Sequence, residues 1–329
     1  MKTILIPDHI SNNCDIEKNI FGKNIIVQTY SFQSNEPIQN EIWENCDAIL
    51  VWHHIQIDKK IIEKLSKCKV IVRIGVGFDS VDLVAAKEKG IVVCNVPDYG
   101  TNDVADHSIA LMLSLARGLE KYNYEAKYNE QWEWNVAGEL RRLSDSTMGI
   151  IGLGRIGTAT ALRAKAFGIK VVFYDPYVSD GKDKSLLIKR CGSLDELLGL
   201  SDIVSFHTPL TNETLSMANK SFFKKMKSSA TLINTARGQI FNIDDLYDAL
   251  KSDIIKSVGT DVLPIEPPEK THPLIKSWRN DEEWLSGRLL ITPHAAFYNK
   301  ESLIEMREKA ALEALRVLNG ENSRNPIKI

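Results

Sequence analysis

The stretch that most constrains the fold of this chain is Thr147–Asp175. It begins with an apolar run that predicts a buried strand and continues with the glycine pattern Gly152-x-Gly154-x-x-Gly157. An alanine-rich helix follows, and Lys170–Tyr174 predicts a second strand. Strand, glycine turn, helix and strand in this order are typical of a βαβ unit that binds a dinucleotide. A glycine turn that holds no nucleotide is the alternative.

Each glycine of the pattern has a physical function in such a unit. Gly152 allows the tight turn, Gly154 lets the backbone approach a pyrophosphate, and Gly157 lets the helix pack closely on the strand. The pyrophosphate would lie at the helix N-terminus, where unpaired N–H groups favour an anion. Asp175 ends the second strand, and a carboxylate there binds ribose hydroxyls and repels a 2′-phosphate. The pattern therefore favours NAD over NADP.

The glycine motif begins well inside a chain of 329 residues, so another unit precedes it. Five apolar runs alternate with polar, helix-compatible segments and predict a smaller α/β unit: Thr3–Ile6, Ile25–Gln28, Ala48–Trp52, Val70–Ile74 and Ile91–Asn95. Ser302–Asn319 has helical spacing and is expected to return to this unit. We predict an α/β fold in which residues 1–98 and 298–329 form a discontinuous, flavodoxin-like substrate-binding (catalytic) domain. Residues 99–297 form the inserted Rossmann domain that binds NAD.

The segment Thr101–Lys121 is predicted to be the helix that crosses between the two domains. Thr101 and Asp103 are candidate N-caps, and the body of the helix is apolar on nearly every face. Such a helix must be buried, and a second subunit is one surface that could bury it. We therefore expect a homodimer.

Composition argues against several classes of protein. The formal net charge is −2 and no basic block occurs, so nothing indicates nucleic-acid binding. The first apolar run is too short for a signal peptide, and no window approaches the roughly 18 apolar residues of a membrane span. The five cysteines are scattered without a CxxC pair, which favours reduced core thiols in a cytoplasmic protein over disulfides or a metal site.

A nicotinamide-dependent reaction needs a group that handles a proton, and histidine suits this because its pKa is about 6.5. His294 is the best placed of the seven histidines. Leu289–Ile291 predicts a strand, and Thr292–Ala296 is the loop at its carboxyl end, where open α/β sheets bind ligands. A loop histidine held by an ordinary hydrogen bond is the alternative.

Two further predicted strands end in candidate residues. Thr231–Asn234 is followed by Arg237, which could bind a carboxylate through two parallel hydrogen bonds. Val258–Asp261 leads into the loop that carries Glu266. Asp261 could anchor a cofactor amide, and Glu266 could orient a histidine ring and favour its protonated form. A solvated arginine and an exposed loop glutamate are the alternatives.

The chain resembles the D-isomer-specific 2-hydroxyacid dehydrogenases. The residues that carry the resemblance are Arg237 in NTARG, Glu266 in DVLPIEP and His294 in TPHAA, in that order after a mid-chain GLGRIG. The similarity is closest to the C-terminal-binding-protein branch, through VRIGVGFDSVDL, CNVPDYGTNDVADHS, LRAKAFG, FYDPYVSDG and HAAFYNKESLIEMREKA. It extends from about Ile49 to Leu318.

The resemblance implies that His294 is the general acid/base, that Glu266 is its partner, and that Arg237 binds the substrate carboxylate and polarises the C2 oxygen. The implied cofactor-binding residues are Val76, Gly152, Gly154, Arg155, Ile156, Gly157, Asp175, Thr208, Pro209, Thr214, Thr235, Ala236 and Asp261. The implied substrate-binding residues, besides Arg237 and His294, are Trp52, His53, Arg73, Gly75, Val76, Gly77 and Phe297.

Two features differ from the C-terminal-binding-protein branch. Phe297 stands where that branch has a tryptophan, and with Trp52 opposite it predicts a substrate with an apolar or aromatic side chain. Pro264–Arg288 is longer than in animal members. We interpret it as an excursion near the active-site mouth, and a surface elaboration unrelated to the site is the alternative.

These observations together predict an NAD(H)-dependent enzyme that transfers hydride between nicotinamide and C2 of a 2-oxo acid or D-2-hydroxy acid. One alternative is an NADH-sensing interaction protein with residual dehydrogenase activity. Another is a dehydrogenase for a related small oxyanion such as phosphite. The intact set of arginine, glutamate and histidine favours the 2-hydroxyacid dehydrogenase over both alternatives.

Overall fold

A computed structural model describes residues 1–10, 13–31 and 37–328 of the chain. It divides into two compact units, each with its own parallel sheet. Unit 1 comprises Met1–Gly100 and Tyr298–Ile329, and unit 2 comprises Thr101–Phe297. The predicted α/β class with a Rossmann unit is confirmed.

The strands are β1 (Lys2–His9), β2 (Ile25–Ser31), β3 (Ala48–Val51), β4 (Val70–Arg73), β5 (Val92–Asn95), β6 (Thr147–Ile151), β7 (Lys170–Tyr174), β8 (Lys189–Arg190), β9 (Ile203–Phe206), β10 (Thr231–Asn234), β11 (Ser257–Thr260) and β12 (Leu289–Ile291). The helices are α1 (Asp15–Phe21), α2 (Asn40–Asn45), α3 (Lys59–Lys64), α4 (Leu83–Glu88), α5 (Thr101–Ala116), α6 (Leu119–Tyr128), α7 (Arg155–Ala166), α8 (Lys182–Leu186), α9 (Leu194–Leu200), α10 (Lys220–Lys225), α11 (Ile243–Lys251), α12 (Pro273–Arg279) and α13 (Lys300–Leu318).

Unit 1 is built on the sheet β2-β1-β3-β4-β5, a strand order that is typical of flavodoxin-like folds. All five predicted strands are present. Every residue of β3 and β4 is buried, as expected for strands of a parallel sheet that is covered on both faces.

The C-terminal helix α13, which was expected to return to the first unit, belongs to unit 1. Asn299 and Ser302 form a capping box that begins α13. Arg307 of this helix makes a bidentate ion pair with Glu17 of α1, at 2.7 Å for both nitrogen–oxygen contacts. Both side chains are buried, so the pair fixes α13 against an element almost 300 residues earlier.

Unit 2 contains the sheet β12-β11-β10-β9-β6-β7-β8, in which all paired strands are parallel. The predicted glycine turn lies between β6 and α7, and β7 has the predicted bounds Lys170–Tyr174. Strand order reverses on either side of β6, which is the position where doubly wound sheets bind nucleotides.

The predicted helix Thr101–Lys121 is buried as expected, but its predicted extent is wrong. Helix α5 ends at Ala116, because Gly118 adopts a left-handed conformation with φ of 64° and α6 then begins. Asp103 is in the first turn and is not the N-cap. The apolar surface of α5 packs against α7, β10 and β11 within unit 2, so its burial needs no second subunit.

The interpretation of Pro264–Arg288 as an excursion at the active-site mouth is wrong for the part that follows Glu266. The segment connects the carboxyl end of β11 to the amino end of β12, which is the ordinary crossover between parallel strands. Its α12 packs on α11, and Leu274 and Leu285 enter the core. Arg288 donates to the carbonyl oxygens of Leu250 and Ile255 at the amino end of the sheet.

Among the described residues, no helix combines the length and apolar character that crossing a membrane would require. All five cysteines are buried with free thiols.

Candidate active site

Three neighbouring strands of unit 2 lead into loops that carry the three predicted catalytic residues at one edge of the sheet. Strands β10, β11 and β12 are adjacent and parallel, so the loops that follow them lie side by side. These loops carry Arg237, Glu266 and His294 respectively. His294 Nδ1 lies 2.7 Å from Glu266 Oε2, and Glu266 Oε1 accepts a hydrogen bond of 2.8 Å from the N–H of Leu263. The structure therefore pairs the two residues and anchors the glutamate.

The backbone of His294 is in the left-handed region, with φ of 53°. This conformation costs roughly 1–3 kcal/mol for a residue that is not glycine, so surrounding bonds must hold it. The His294 N–H donates to the carbonyl oxygen of Asp261 at 2.7 Å. The ring of Phe297 lies edge-on to the His294 imidazole, with centroids 6.3 Å apart.

The carboxylate of Asp261, which is 1 % exposed, organises the loop of His294. Oδ1 accepts hydrogen bonds from the Thr292 hydroxyl at 2.5 Å and from the Ala295 N–H at 2.8 Å, while Oδ2 accepts from the Ala296 N–H at 2.9 Å. Its predicted contact with a cofactor amide stays a prediction. The contacts with the loop were not foreseen, because nothing in the spacing of the sequence indicates them.

The loop of Arg237 packs directly on the loop of Glu266. A Cβ atom at Gly238 would overlap the backbone of Leu263, so only glycine allows this approach. The Asn234 side chain holds the same loop by donating to the Arg237 carbonyl oxygen at 2.9 Å and accepting from the Ala236 N–H at 3.0 Å. Arg237 Nη1 donates to the Ala236 carbonyl oxygen at 2.7 Å. These contacts hold the loop of Arg237 against the loop that carries Glu266.

The glycine turn after β6 has the form that a dinucleotide requires. Gly152 has φ of 89°, and a Cβ on it would lie 2.7 Å from the carbonyl oxygen of His207. A Cβ on Gly157 would overlap the carbonyl oxygen of Gly152, so helix and strand are in close contact. A Cβ on Gly154 would meet no atom of the described chain within 4 Å. Open space thus lies beside Gly154 at the N-terminus of α7, whose first residue is Arg155.

Two further observations fit a dinucleotide at this turn. Asp175 accepts hydrogen bonds from the N–H groups of Leu153 at 2.7 Å and Tyr177 at 2.9 Å, so its carboxylate is fixed beside the glycine turn. The Thr208 hydroxyl is buried next to Gly152 and has no hydrogen-bond partner among the described residues. A ligand that offers hydroxyl or phosphate oxygens would satisfy this group.

The loop after β9 is shaped by its own hydrogen bonds. Thr214 donates to the Pro209 carbonyl oxygen at 2.7 Å and accepts from the Thr211 N–H at 2.8 Å, so its hydroxyl is used within the loop. Burial lowers the pKa of His207 to about 3, which keeps this ring neutral. The Thr235 hydroxyl lies 2.7 Å from that of Ser108 on α5.

The remaining candidates lie in unit 1, at the end of β4 and in the loops that follow β3 and β4. Arg73 is buried and donates to the carbonyl oxygen of Ile74, and the loop continues through Gly75 with φ of 141°. The Asn95 amide donates to the Val76 carbonyl oxygen at 2.6 Å. These bonds fix the conformation of the loop that contains Gly77.

Trp52, which is 1 % exposed, has its indole nitrogen buried without a hydrogen-bond partner among the described residues. Its backbone N–H donates to Asp8 at 2.8 Å, and the same carboxylate accepts from the N–H of His54. Asp8 thus holds the loop that contains His53. Burial raises the pKa of Asp8. Asp8 was not predicted from the sequence, although an aspartate two residues beyond the apolar run Thr3–Ile6 was a usable signal.

Residues 109–296 match the family profile described as D-isomer specific 2-hydroxyacid dehydrogenase, NAD binding domain. C-terminal-binding protein 1 of Caenorhabditis elegans is 33 % identical over 317 residues, which cover 94 % of this chain and 42 % of that protein. D-3-phosphoglycerate dehydrogenase of Archaeoglobus fulgidus is 33 % identical over 305 residues, which cover 92 % of this chain and 55 % of that protein. The chain therefore spans about half the length of these curated relatives.

A solved structure of D-lactate dehydrogenase from Aquifex aeolicus, complexed with NAD and lactic acid, is similar over both units. Its TM-score is 0.83 at 29 % sequence identity, and the match covers 97 % of this chain and 96 % of that one.

Substitutions of two glycines separate packing from ligand binding. We expect Gly157→Ala to lower the thermal unfolding midpoint by several degrees, because the added Cβ overlaps a carbonyl oxygen. Gly154→Ala should change the midpoint by no more than about 1 °C, since its Cβ meets only open space. It should nevertheless weaken NADH binding by ~10-fold or more, because it fills the position of the pyrophosphate. Thermal melts and fluorescence titration measure both effects, and undiminished NADH binding by Gly154→Ala would contradict this assignment.

Proposed function

The chain belongs to the D-isomer-specific 2-hydroxyacid dehydrogenase family, and we propose that it is an NAD(H)-dependent oxidoreductase acting at C2 of a 2-oxo acid or D-2-hydroxy acid. The observation that carries this proposal is the 2.7 Å contact between His294 and Glu266. It lies in loops at the carboxyl edge of the sheet, beside the loop of Arg237.

His294 is the proposed proton donor to the substrate oxygen. Glu266 engages Nδ1, so it orients the ring and fixes its tautomer, and Nε2 is the nitrogen that exchanges the proton with substrate. Arg237 binds the substrate carboxylate and stabilises negative charge on the C2 oxygen. His207 is unsuited to the proton transfer because its lowered pKa keeps it neutral.

NAD is the cofactor of the family domain that residues 109–296 match, and when bound it supplies or accepts the hydride. The glycine turn with Arg155 and Ile156 would hold its pyrophosphate, and Asp175 would bind the adenine ribose. Thr208, Pro209 and Thr214 supply the loop along the cofactor. Thr235, Ala236 and Asp261 would adjoin its nicotinamide.

The proposed substrate is a small 2-oxo or 2-hydroxy acid. We propose that unit 1 contributes the loop of Arg73, Gly75, Val76 and Gly77, together with Trp52 and His53, to its binding. The T-shaped contact of Phe297 with His294 supports an apolar wall next to C2, so an apolar side chain should be preferred. The five free, buried cysteines support the proposal of a cytoplasmic location.

Replacing the proposed proton donor tests the function. We expect His294→Ala to lower kcat by about 10²–10⁴-fold, because the donor acts in the transition state, while NADH affinity stays within about twofold. The assay follows NADH oxidation with glyoxylate, pyruvate, 2-oxobutyrate, a branched 2-oxo acid and phenylpyruvate, and kcat/KM should rise along this series. A separate assay measures NAD reduction with phosphite, which tests the alternative of a dehydrogenase for a small oxyanion.

His272 provides a matched control, since it also contacts a carboxylate, that of Asp244 at 3.2 Å, but caps α12 instead of following β12. His272→Ala should keep kcat within about twofold. A His294→Ala protein with wild-type turnover would refute the assignment. A wild-type protein that binds NADH but reduces none of these acids would favour the NADH-sensing alternative.

The charge at Asp175 should decide the choice of cofactor. We expect wild-type kcat/KM to favour NADH over NADPH by ~100-fold, because the carboxylate repels a 2′-phosphate. Asp175→Asn removes the charge but keeps an oxygen for the N–H of Leu153. It should lower the ratio of kcat/KM with NADH to kcat/KM with NADPH by ~10-fold. Equal kcat/KM for both cofactors in the wild type would rule this role out.

We propose that the protein is a homodimer, and that the segment after α6 contributes to its interface. Trp132 and Trp134 are 88 % and 83 % exposed, and tryptophan is typical of interfaces and rare on free surfaces. Light scattering should give twice the chain mass of 37.0 kDa. Trp132→Ser with Trp134→Ser should shift the mass towards the monomer, whereas Val84→Ser, at an exposed apolar residue of unit 1, should not. A monomeric wild type at micromolar concentration would contradict the proposal.

A further inference from the structure

A second histidine is connected to the loop of His294. His107 lies in the second turn of α5, and its Nε2 is 2.9 Å from the Thr292 hydroxyl and 3.6 Å from Asp261 Oδ1. His107 is not among the residues that the sequence predicts to act in catalysis or binding. The contact joins residues that are 185 positions apart, so no local pattern indicates it.

The direction of these hydrogen bonds follows from counting protons. The Thr292 hydroxyl has a single proton, and it donates that proton to Asp261 Oδ1 at 2.5 Å. The Thr292 oxygen has no second proton to give to His107, so it must accept a hydrogen bond from His107 instead. Nε2 of His107 therefore carries a proton. The result is a directed chain from His107 through Thr292 to Asp261.

The chain of bonds continues to the proposed proton donor. Asp261 accepts the N–H groups of three consecutive residues, that of His294 on its carbonyl oxygen and those of Ala295 and Ala296 on its carboxylate. These bonds hold His294 in its left-handed conformation. A donor that fixes Thr292 and Asp261 therefore fixes the backbone from which the His294 ring extends, and Glu266 holds the ring itself.

Packing alone does not require a histidine at position 107. Val104 and Leu111, which lie three residues before and four residues after it on α5, are buried apolar side chains. An apolar residue would therefore suit the surroundings of this helix face. What a histidine adds is the N–H that reaches Thr292.

We propose that His107 is a positioning residue for proton transfer, acting on His294 through Thr292 and Asp261. This inference rests on the proposed function of His294. Without His107, the Thr292 hydroxyl and the 292–296 loop lose a fixed donor, and His294 occupies its productive orientation for less of the time. Misplacement of a catalytic group lowers turnover more than it lowers binding.

The kinetic test compares three variants. His107→Leu and Thr292→Val should each lower kcat by ~10-fold while the KM for NADH stays within about twofold. Because both break the same chain, the double variant should be no slower than either single variant. His107→Gln keeps an N–H donor near the position of Nε2 and should restore kcat to within about threefold of the wild type. Asp106→Asn, at the adjacent exposed residue of α5, is the matched control and should leave kcat unchanged.

A second readout does not depend on turnover. In protein labelled with ¹³C-histidine, the ring Cε1–H resonance of His294 can be assigned by its loss in His294→Ala. We expect His107→Leu and Thr292→Val to shift or broaden this resonance, and His107→Gln and Asp106→Asn to leave it near the wild-type position.

The outcomes separate this inference from the proposed function. If His294→Ala abolishes turnover while His107→Leu has wild-type kcat and an unchanged His294 resonance, the positioning role is refuted and the proposed function stands. If His107→Gln is as slow as His107→Leu, the residue acts by its shape and the role is also refuted. If the wild type turns over no 2-oxo acid, a His294 resonance that responds to His107→Leu still supports the connection.

Discussion

The carboxylate of Asp261 is buried and accepts three hydrogen bonds from the loop that follows β12, while its carbonyl oxygen accepts a fourth. A buried carboxylate is costly unless such donors surround it, and a left-handed histidine is costly unless bonds hold it. Each cost is offset by the same contacts. The side chain that is proposed to move a proton is therefore oriented before any substrate is present, which is the condition that efficient proton transfer needs.

Much of the fold could be predicted because strands of a parallel sheet are buried on both faces and appear as continuous apolar runs. Their carboxyl ends share one edge, so residues directly after them, such as Arg237 and His294, could be assigned to one site from the sequence alone. The pairing of His294 with Glu266 followed from the same reasoning together with family resemblance, and the structure places their side chains in contact.

The features that could not be predicted from the sequence depend on how the segments between the strands pack in three dimensions. The end of α5 was missed because a glycine is also tolerated inside a helix, whereas Gly118 adopts a left-handed conformation here and a new helix begins after it. The length and tryptophans of Pro264–Arg288 suggested an excursion near the active-site mouth, whereas Leu274, Trp278, Trp284 and Leu285 pack on the core of unit 2. The contact of His107 with Thr292 depends on how α5 packs in three dimensions, and neither residue has a neighbour in sequence that indicates it.

The ion pair between Glu17 and Arg307 has a consequence for the order of folding during synthesis. Unit 2 is continuous, so its whole core has been translated once residue 297 has left the ribosome. Unit 1 at that moment lacks α13, and the surfaces of α1, β3 and β4 that this helix covers are still open to water. The inserted unit is thus in a position to fold first, and Glu17 lacks its ion-pair partner until Arg307 has been synthesised. Chaperones that bind nascent apolar surface should accordingly contact residues 1–100 for longer than they contact the unit that follows.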